Sequence, residues 1–199
     1  MFLGALVLAA TIVASSCEQV PLFAQFASQG DSLRGYTVPL ETAVAIHKFL
    51  TFHVKLSGSV AYEQPGKVTL SMQRVPPEDR ALFADVSAPR TWPQNYDLRV
   101  IGTSTNNDQK IYHMTGVPRG QSGVDHFLAD VKQDGSSIAA QWFLRGGGTI
   151  VSTIENQNVG GFMLPKRELA DIDASGYKIH VEITFGDYIL NGPVALAPR

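Results

Sequence analysis

Between Phe52 and Met72 apolar and polar residues alternate. Phe52, Val54, Leu56, Val60 and Tyr62, then Val68, Leu70 and Met72, share one parity, while Lys55, Ser57, Glu63, Thr69 and Ser71 take the other. Successive side chains of a strand point to opposite faces, so this stretch predicts two strands with one apolar face. Gln64-Pro65-Gly66 between them supplies the Pro and Gly of a tight turn. The same reading predicts strands over 36–49, 51–63, 67–75, 96–102, 110–117, 124–132, 138–145, 149–155, 162–169 and 177–190. Turn residues part nearly every pair: Asn106-Asn107-Asp108, Gly120 to Gly123, Asp134-Gly135, Gly146 to Gly148, Gly160-Gly161 and Ser175-Gly176.

Helical signals are few. Leu22, Phe23, Phe26 and Leu33 recur at helical spacing between Pro21 and Gly35, and Pro76-Pro77-Glu78-Asp79-Arg80 opens a second short helix ending near Asp85. A Pro-rich loop through Pro89 and Pro93 carries Trp92. The fold class expected is therefore mainly β with short α-helices, built on an antiparallel sheet. Two short helices cannot blanket so many strands, so the sheet must curl, stack as a sandwich or stay partly open around a ligand.

Composition narrows the class. The chain has 199 residues, 44% hydrophobic and 17% charged, enough for a single domain with a core, expected over 36–199. The formal net charge is −2 with the charges scattered, which leaves no footprint for nucleic acid or for an anionic membrane surface. Residues 1–16 are uncharged, rich in Leu, Val and Ala, and end in small residues, the pattern of a signal peptide. Export to the periplasm or cell envelope is expected. Cys17 follows directly and is the only cysteine, so no internal disulfide forms. Ala14-Ser15-Ser16-Cys17 resembles a lipoprotein cleavage box, in which the cysteine is acylated and tethers the chain to a membrane; an ordinary signal-peptide cysteine also fits. Residues 17–35 then read as a linker and N-terminal helix.

Candidate chemistry is thin. Asp171-Ile172-Asp173-Ala174-Ser175-Gly176 with Glu182 has the spacing of a calcium loop, yet Lys178 holds an apolar position and the residues after it alternate as a strand. A polar turn feeding the last strand is the better reading. His47, His53, His113, His126 and His180 form no metal-ligand motif, and His53 and His180 share the polar parity of their strands. Ser122 lacks the glycine spacing and following helix of a nucleophile elbow, and Gly146-Gly147-Gly148 precedes a strand where a phosphate loop needs a helix. No cofactor or metal is called for. Trp142 is expected in the core and Trp92 at a cavity rim.

In the order of its elements the chain resembles the periplasmic lipoprotein-carrier (LolA-like, lipoprotein-sorting-like) superfamily. The resemblance runs from about Leu33 to Asn191, through Tyr62-Glu63-Gln64-Pro65-Gly66-Lys67-Val68, Trp92 and Tyr96-Asp97-Leu98. It is fullest in Gly160-Gly161-Phe162-Met163-Leu164-Pro165-Lys166, Tyr177-Lys178-Ile179-His180 and Phe185-Gly186-Asp187-Tyr188-Ile189-Leu190-Asn191. It implies an incomplete (half) barrel, a curved antiparallel sheet with a helical lid, whose apolar interior receives acyl chains. The carriers place an arginine before the proline of the early turn; here that position is Gln64. The expectation is a non-enzymatic envelope protein binding a lipid or acylated protein, its cavity lined by Phe52, Val54, Leu56, Val60, Val68, Leu70, Met72, Leu98, Val100 and Trp92. The rival readings are an interaction module with a filled interior and, behind it, a hydrolase using Asp125, His126 or the Asp171 cluster.

Overall fold

The computed structural model describes residues 33–64, 67–72, 86, 89–174 and 176–190. The expected signal peptide, Cys17, the helix over 76–85 and nearly all of the helix over 21–34 lie outside them. Among the described residues no helix is long and apolar enough to cross a membrane.

Eleven strands form one antiparallel sheet: β1 (Gly35–His47), β2 (Thr51–Glu63), β3 (Lys67–Met72), β4 (Tyr96–Asn106), β5 (Gln109–Pro118), β6 (Val124–Lys132), β7 (Ser137–Leu144), β8 (Thr149–Val159), β9 (Phe162–Ala174), β10 (Tyr177–Phe185) and β11 (Ile189–Leu190). Their order is β3-β2-β1-β10-β9-β8-β7-β6-β5-β4, with β11 also on β1. The sheet is curved and unclosed, as expected of an incomplete barrel. Two-residue turns close two of its hairpins. Asn107 and Asp108 (φ 48° and 60°) join β4 to β5, and Gly160 and Gly161 (φ 59° and 91°) join β8 to β9; paired positive φ matches the twist of the flanking strands.

Several strands depart from their expected limits. β4, β8 and β9 run longer than the alternation indicates, because ladder pairing continues through polar stretches: Thr103 to Asn106 in β4, Asn156 to Asn158 in β8, and Asp171 and Asp173 in β9. The single run expected over 177–190 divides at Gly186, whose N–H donates to the Pro39 carbonyl at 2.8 Å, and β11 re-enters beside Tyr36 and Thr37. The Pro-rich loop is partly ordered into a 3-10 turn (Pro89–Thr91) and a one-turn helix, α1 (Trp92–Asn95). Arg119 clasps that turn: its backbone N–H donates to the Asn95 carbonyl (2.9 Å), Nη1 to the Pro93 and Gln94 carbonyls (3.1 and 3.3 Å), and Nε to Asp97 Oδ1 (2.9 Å). A guanidinium over the last carbonyls of a helix supplies the donors that the helix itself lacks.

The core follows strand parity. Tyr36, Val38 and Leu40 of β1 oppose Tyr62, Val60 and Gly58 of β2, and Val60 and Tyr62 oppose Leu70 and Val68 of β3, so the alternation of 52–72 does mark one concave face. Gly116 lies against the ring of Phe127, and a Cβ there would collide with Cε1 and Cζ of that ring. Gly116→Ala is expected to lower the unfolding free energy by about 1–3 kcal/mol in urea titrations. Gly120→Ala, which would meet no atom, should change it by less than about 0.5 kcal/mol.

Candidate functional site

The concave face is built from rows of residues running across the strands. One row reads Ile46, Ile179, Ile172, Ile150, Trp142, Phe127, Gly116 and Leu98 through successive pairings from β1 to β4. The next reads Val44, Val181, Ala170, Ser152, Ala140, Ala129, Met114 and Val100. A third begins Thr42, Ile183, Glu168 and Ile154. The middle row is small where its neighbours are large. Ala170, Ser152, Ala140 and Ala129, all buried, thus form a low strip of the concave face, a trough in side-chain size four strands wide, about 14 Å at the usual strand spacing, flanked by Ile172, Ile150, Trp142 and Phe127 on one side and by Glu168 and Ile154 on the other.

One end of this trough is plugged by aromatic rings. Trp92 packs on Phe127 (centroids 4.5 Å apart) and edge-on to Trp142 (5.6 Å), and Tyr96 meets both Phe127 (5.1 Å) and Trp142 (6.0 Å). Trp92, expected at a rim, is instead fully enclosed at 0% exposure, because Arg119 fixes α1 and α1 delivers the indole into the cluster. The other end is open: Phe52 and Val54 on β2 keep 58% and 37% of their surface exposed. Between these extremes Leu56, Val68 and Leu98 are half-buried, and Val60, Leu70, Met72 and Val100 are buried in the core. The structure therefore places all ten named residues on one side of the sheet, though at opposite ends of it. Gln64 is exposed just after β2, its N–H donating to the Arg34 carbonyl at 3.0 Å.

Alternation did not single out the polar groups on this face. Thr42, Ser152 and Glu168 are buried, Glu168 at 1% exposure, and the hydroxyls of Thr42 and Ser152 and Nε1 of Trp142 make no hydrogen bond. Buried polar atoms are normally satisfied, so such groups are costly unless something meets them. The signal for Thr42 was its place in the apolar parity of β1. Glu168 was hidden by Leu169, which faces outward.

Three of the five histidines, His113, His126 and His180, lie on the convex face beside an aspartate. His180 Nδ1 is 2.8 Å from Asp171 Oδ1 on the neighbouring strand, and His126, stacked on Phe143, is 2.9 Å from Asp125. Residues 171–174 end β9 and residues 177–182 begin β10, with Lys178 opposite Asp173 in register and Glu182 ion-paired to Arg167 at 2.7 Å. Among the described residues no cluster of His, Cys, Asp and Glu could hold a metal ion. Ser122 accepts a hydrogen bond from the Val124 N–H (3.0 Å) and is a turn residue. His113 is the one histidine in a relay: Nδ1 lies 2.6 Å from Asp130 Oδ1 and Nε2 2.9 Å from Ser104 Oγ. Its surroundings are those of a strand surface, where backbone N–H groups run in the plane of the sheet and away from the hydroxyl, so no oxyanion donors converge on Ser104.

No family model matches the sequence, and no curated protein does. Solved structures do match. A LolA superfamily protein from Nitrosomonas europaea is 13% identical with a TM-score of 0.55, covering 85% of this chain and 94% of that one. A DUF1329 family protein from Desulfovibrio piger is 11% identical (TM-score 0.59; 89% and 95% covered), and a putative outer membrane lipoprotein-sorting protein domain from Vibrio parahaemolyticus is 8% identical (TM-score 0.57; 88% and 92% covered). The chain has the LolA-like fold.

If the Ser104–His113–Asp130 relay is a cross-strand polar ladder, 4-nitrophenyl acetate will be hydrolysed at the same rate by wild type and Ser104→Ala. A Ser104-dependent burst of nitrophenol would contradict this.

Proposed function

We propose that the chain is an exported, non-enzymatic envelope protein that receives an acyl chain, free or as part of a lipoprotein, on its concave face. The observation that carries this reading is the small-residue row Ala170–Ser152–Ala140–Ala129 between rows of larger side chains, one of them Ile172, Ile150, Trp142 and Phe127. A sheet evolved only to pack on itself gains by filling that row, since buried methylenes stabilise and voids cost. The LolA-like fold, shared with a lipoprotein-sorting protein domain, supports the same reading.

The energetics need no specific chemistry. Burying a methylene is worth about 0.8 kcal/mol, so a chain of about 14 carbons gains on the order of 11 kcal/mol relative to water. Transfer from a bilayer into an apolar trough is nearly neutral, which lets cargo move in either direction without ATP. Phe52, Val54 and Leu56 line the open end and Leu98 and Val100 the far side. Trp92 serves as an end wall. The hydroxyls of Thr42 and Ser152 offer hydrogen-bonding groups to the polar part of a cargo. Acylation of Cys17 would hold the carrier at a membrane.

Native mass spectrometry of the purified protein should find co-purifying lipid, and a fluorescent fatty acid should bind. Ala140→Phe, which fills the bed, is expected to weaken the probe about tenfold or more with the far-UV circular dichroism unchanged. Val54→Asp, at the open end where a charge stays hydrated, should do so with little loss of stability. Absence of lipid and of probe binding would leave the packed interaction module as the reading.

A further inference from the structure

The long β1–β2 hairpin ends in an apolar point. His47 and Thr51 form its last pair, and Lys48, Phe49 and Leu50 make the turn. Phe49 is 92% exposed and Leu50 70%, the two most exposed large hydrophobic residues among those described. Exposing two adjacent large apolar side chains at the extremity of a hairpin gains nothing for folding. The turn is also held in shape. Lys48 Nζ donates to the Tyr177 hydroxyl at 2.8 Å while lying 4.3 Å from the centre of that ring, and His47 Nδ1 is 2.8 Å from Thr51 Oγ1.

Charge around this point differs from the rest of the chain. The chain carries a net charge of −2, yet residues 42–62 contain no Asp or Glu and include Lys48, Lys55, His47 and His53. On the neighbouring β10, Lys178 opposes His47, with Asp173 across from it on β9. An apolar tip, an amphipathic tyrosine beside it and lysines behind it are the arrangement that binds the interface of a bilayer bearing negative headgroups. The tip is continuous with the trough as well. Phe52 follows it on the concave parity, opposite Ile46 of β1, and is itself 58% exposed.

We propose that the β1–β2 turn is a membrane-docking finger, which inserts Phe49 and Leu50 into an anionic lipid surface and so brings the open end of the trough to the bilayer. Its purpose rests on the acyl-carrier reading, whereas insertion itself is measurable without cargo. Docking at this end puts Phe52 at the headgroup boundary. An acyl chain leaving the membrane then passes along apolar side chains and avoids water for most of its path.

The test uses the full-length chain carrying Cys17→Ser, so that no acyl anchor contributes, in co-sedimentation with vesicles of phosphatidylcholine alone or mixed with phosphatidylglycerol. Binding is expected to the mixed vesicles and to fall as salt is raised. Phe49→Ser with Leu50→Ser should weaken it about tenfold or more, and Lys48→Glu with Lys55→Glu likewise. Both pairs are exposed at the surface, and retained circular dichroism establishes that the variants are folded. Failure of the parent protein to bind, or equal binding by the Phe49/Leu50 variant, overturns the proposal. Equal binding to phosphatidylcholine alone overturns its anionic component. A concentration-dependent dimer that the Phe49/Leu50 variant abolishes, without vesicle binding, would assign the tip to a second copy of the chain and overturn membrane docking. The two readings separate cleanly: the tip variant should keep the fatty-acid probe in solution and lose vesicles, and Ala140→Phe should do the reverse.

Discussion

Cross-strand register is the constraint on which this molecule depends. Each row of the concave face exists because eight strands hold their partners in step, and a slip of one residue in any of them would turn its apolar set to solvent. The bulges are part of that bookkeeping. β4 gains Ile101 between Val100 and Gly102, and β6 gains Asp125 between Val124 and His126. Each extra residue reverses parity on one side of it, so that Val124 and Phe127, an odd number of positions apart, both reach the interior. Bulges also bend strands, and the curvature they contribute is what turns a sheet into a trough.

Most of the sheet was legible in the sequence because one face meets water. Wherever Lys, Ser or Thr alternated with Val, Leu or Tyr, as in β2 and β3, period and face followed together. Parity alone failed at residues whose partner strand sets their place. Ile138 falls at the register shift between β6 and β7, although it continues the alternation of Ala140 and Trp142. Glu168 was obscured because a carboxylate beside a leucine reads as the outward member of the pair, and here the leucine is outward. The burial of Trp92 depends on Arg119, which is 27 residues away and carries no mark of that role. The elongated β8 and β9 were read short because Asn156-Gln157-Asn158 and the pair Asp171 and Asp173 interrupt the apolar pattern, and hydrogen-bonded pairing does not require apolar side chains.

The two ends of the trough differ in kind. At the β4 side, stacked and edge-on rings close it with groups whose packing energy is large and whose geometry is stiff. At the β2 side, apolar side chains lie open and the strands run on to a bare turn. The concave face thus has a direction, sealed at one end and exposed at the other. The hydroxyls of Thr42 and Ser152 lie between these ends, on the rows where a guest's polar group could be recognised. The convex face, with its His–Asp and Arg–Glu pairs, has the character of an ordinary hydrated surface, where such pairs contribute little.

The place of β1 has a further consequence. It lies at the start of the described chain, yet it pairs with β10 from Leu40 opposite Phe185 to His47 opposite Lys178, and with β11 beyond that. The seam between β1 and β10, third and fourth in the strand order, therefore joins residues more than a hundred positions apart, and closing so large a loop is slow. Until the last strands emerge from the ribosome, β1 lacks one of its two neighbours and the sheet stays in two pieces. The late-made segment is thus the clasp of the fold: however early the hairpins on either side pair, the sheet becomes one piece only when β10 meets β1.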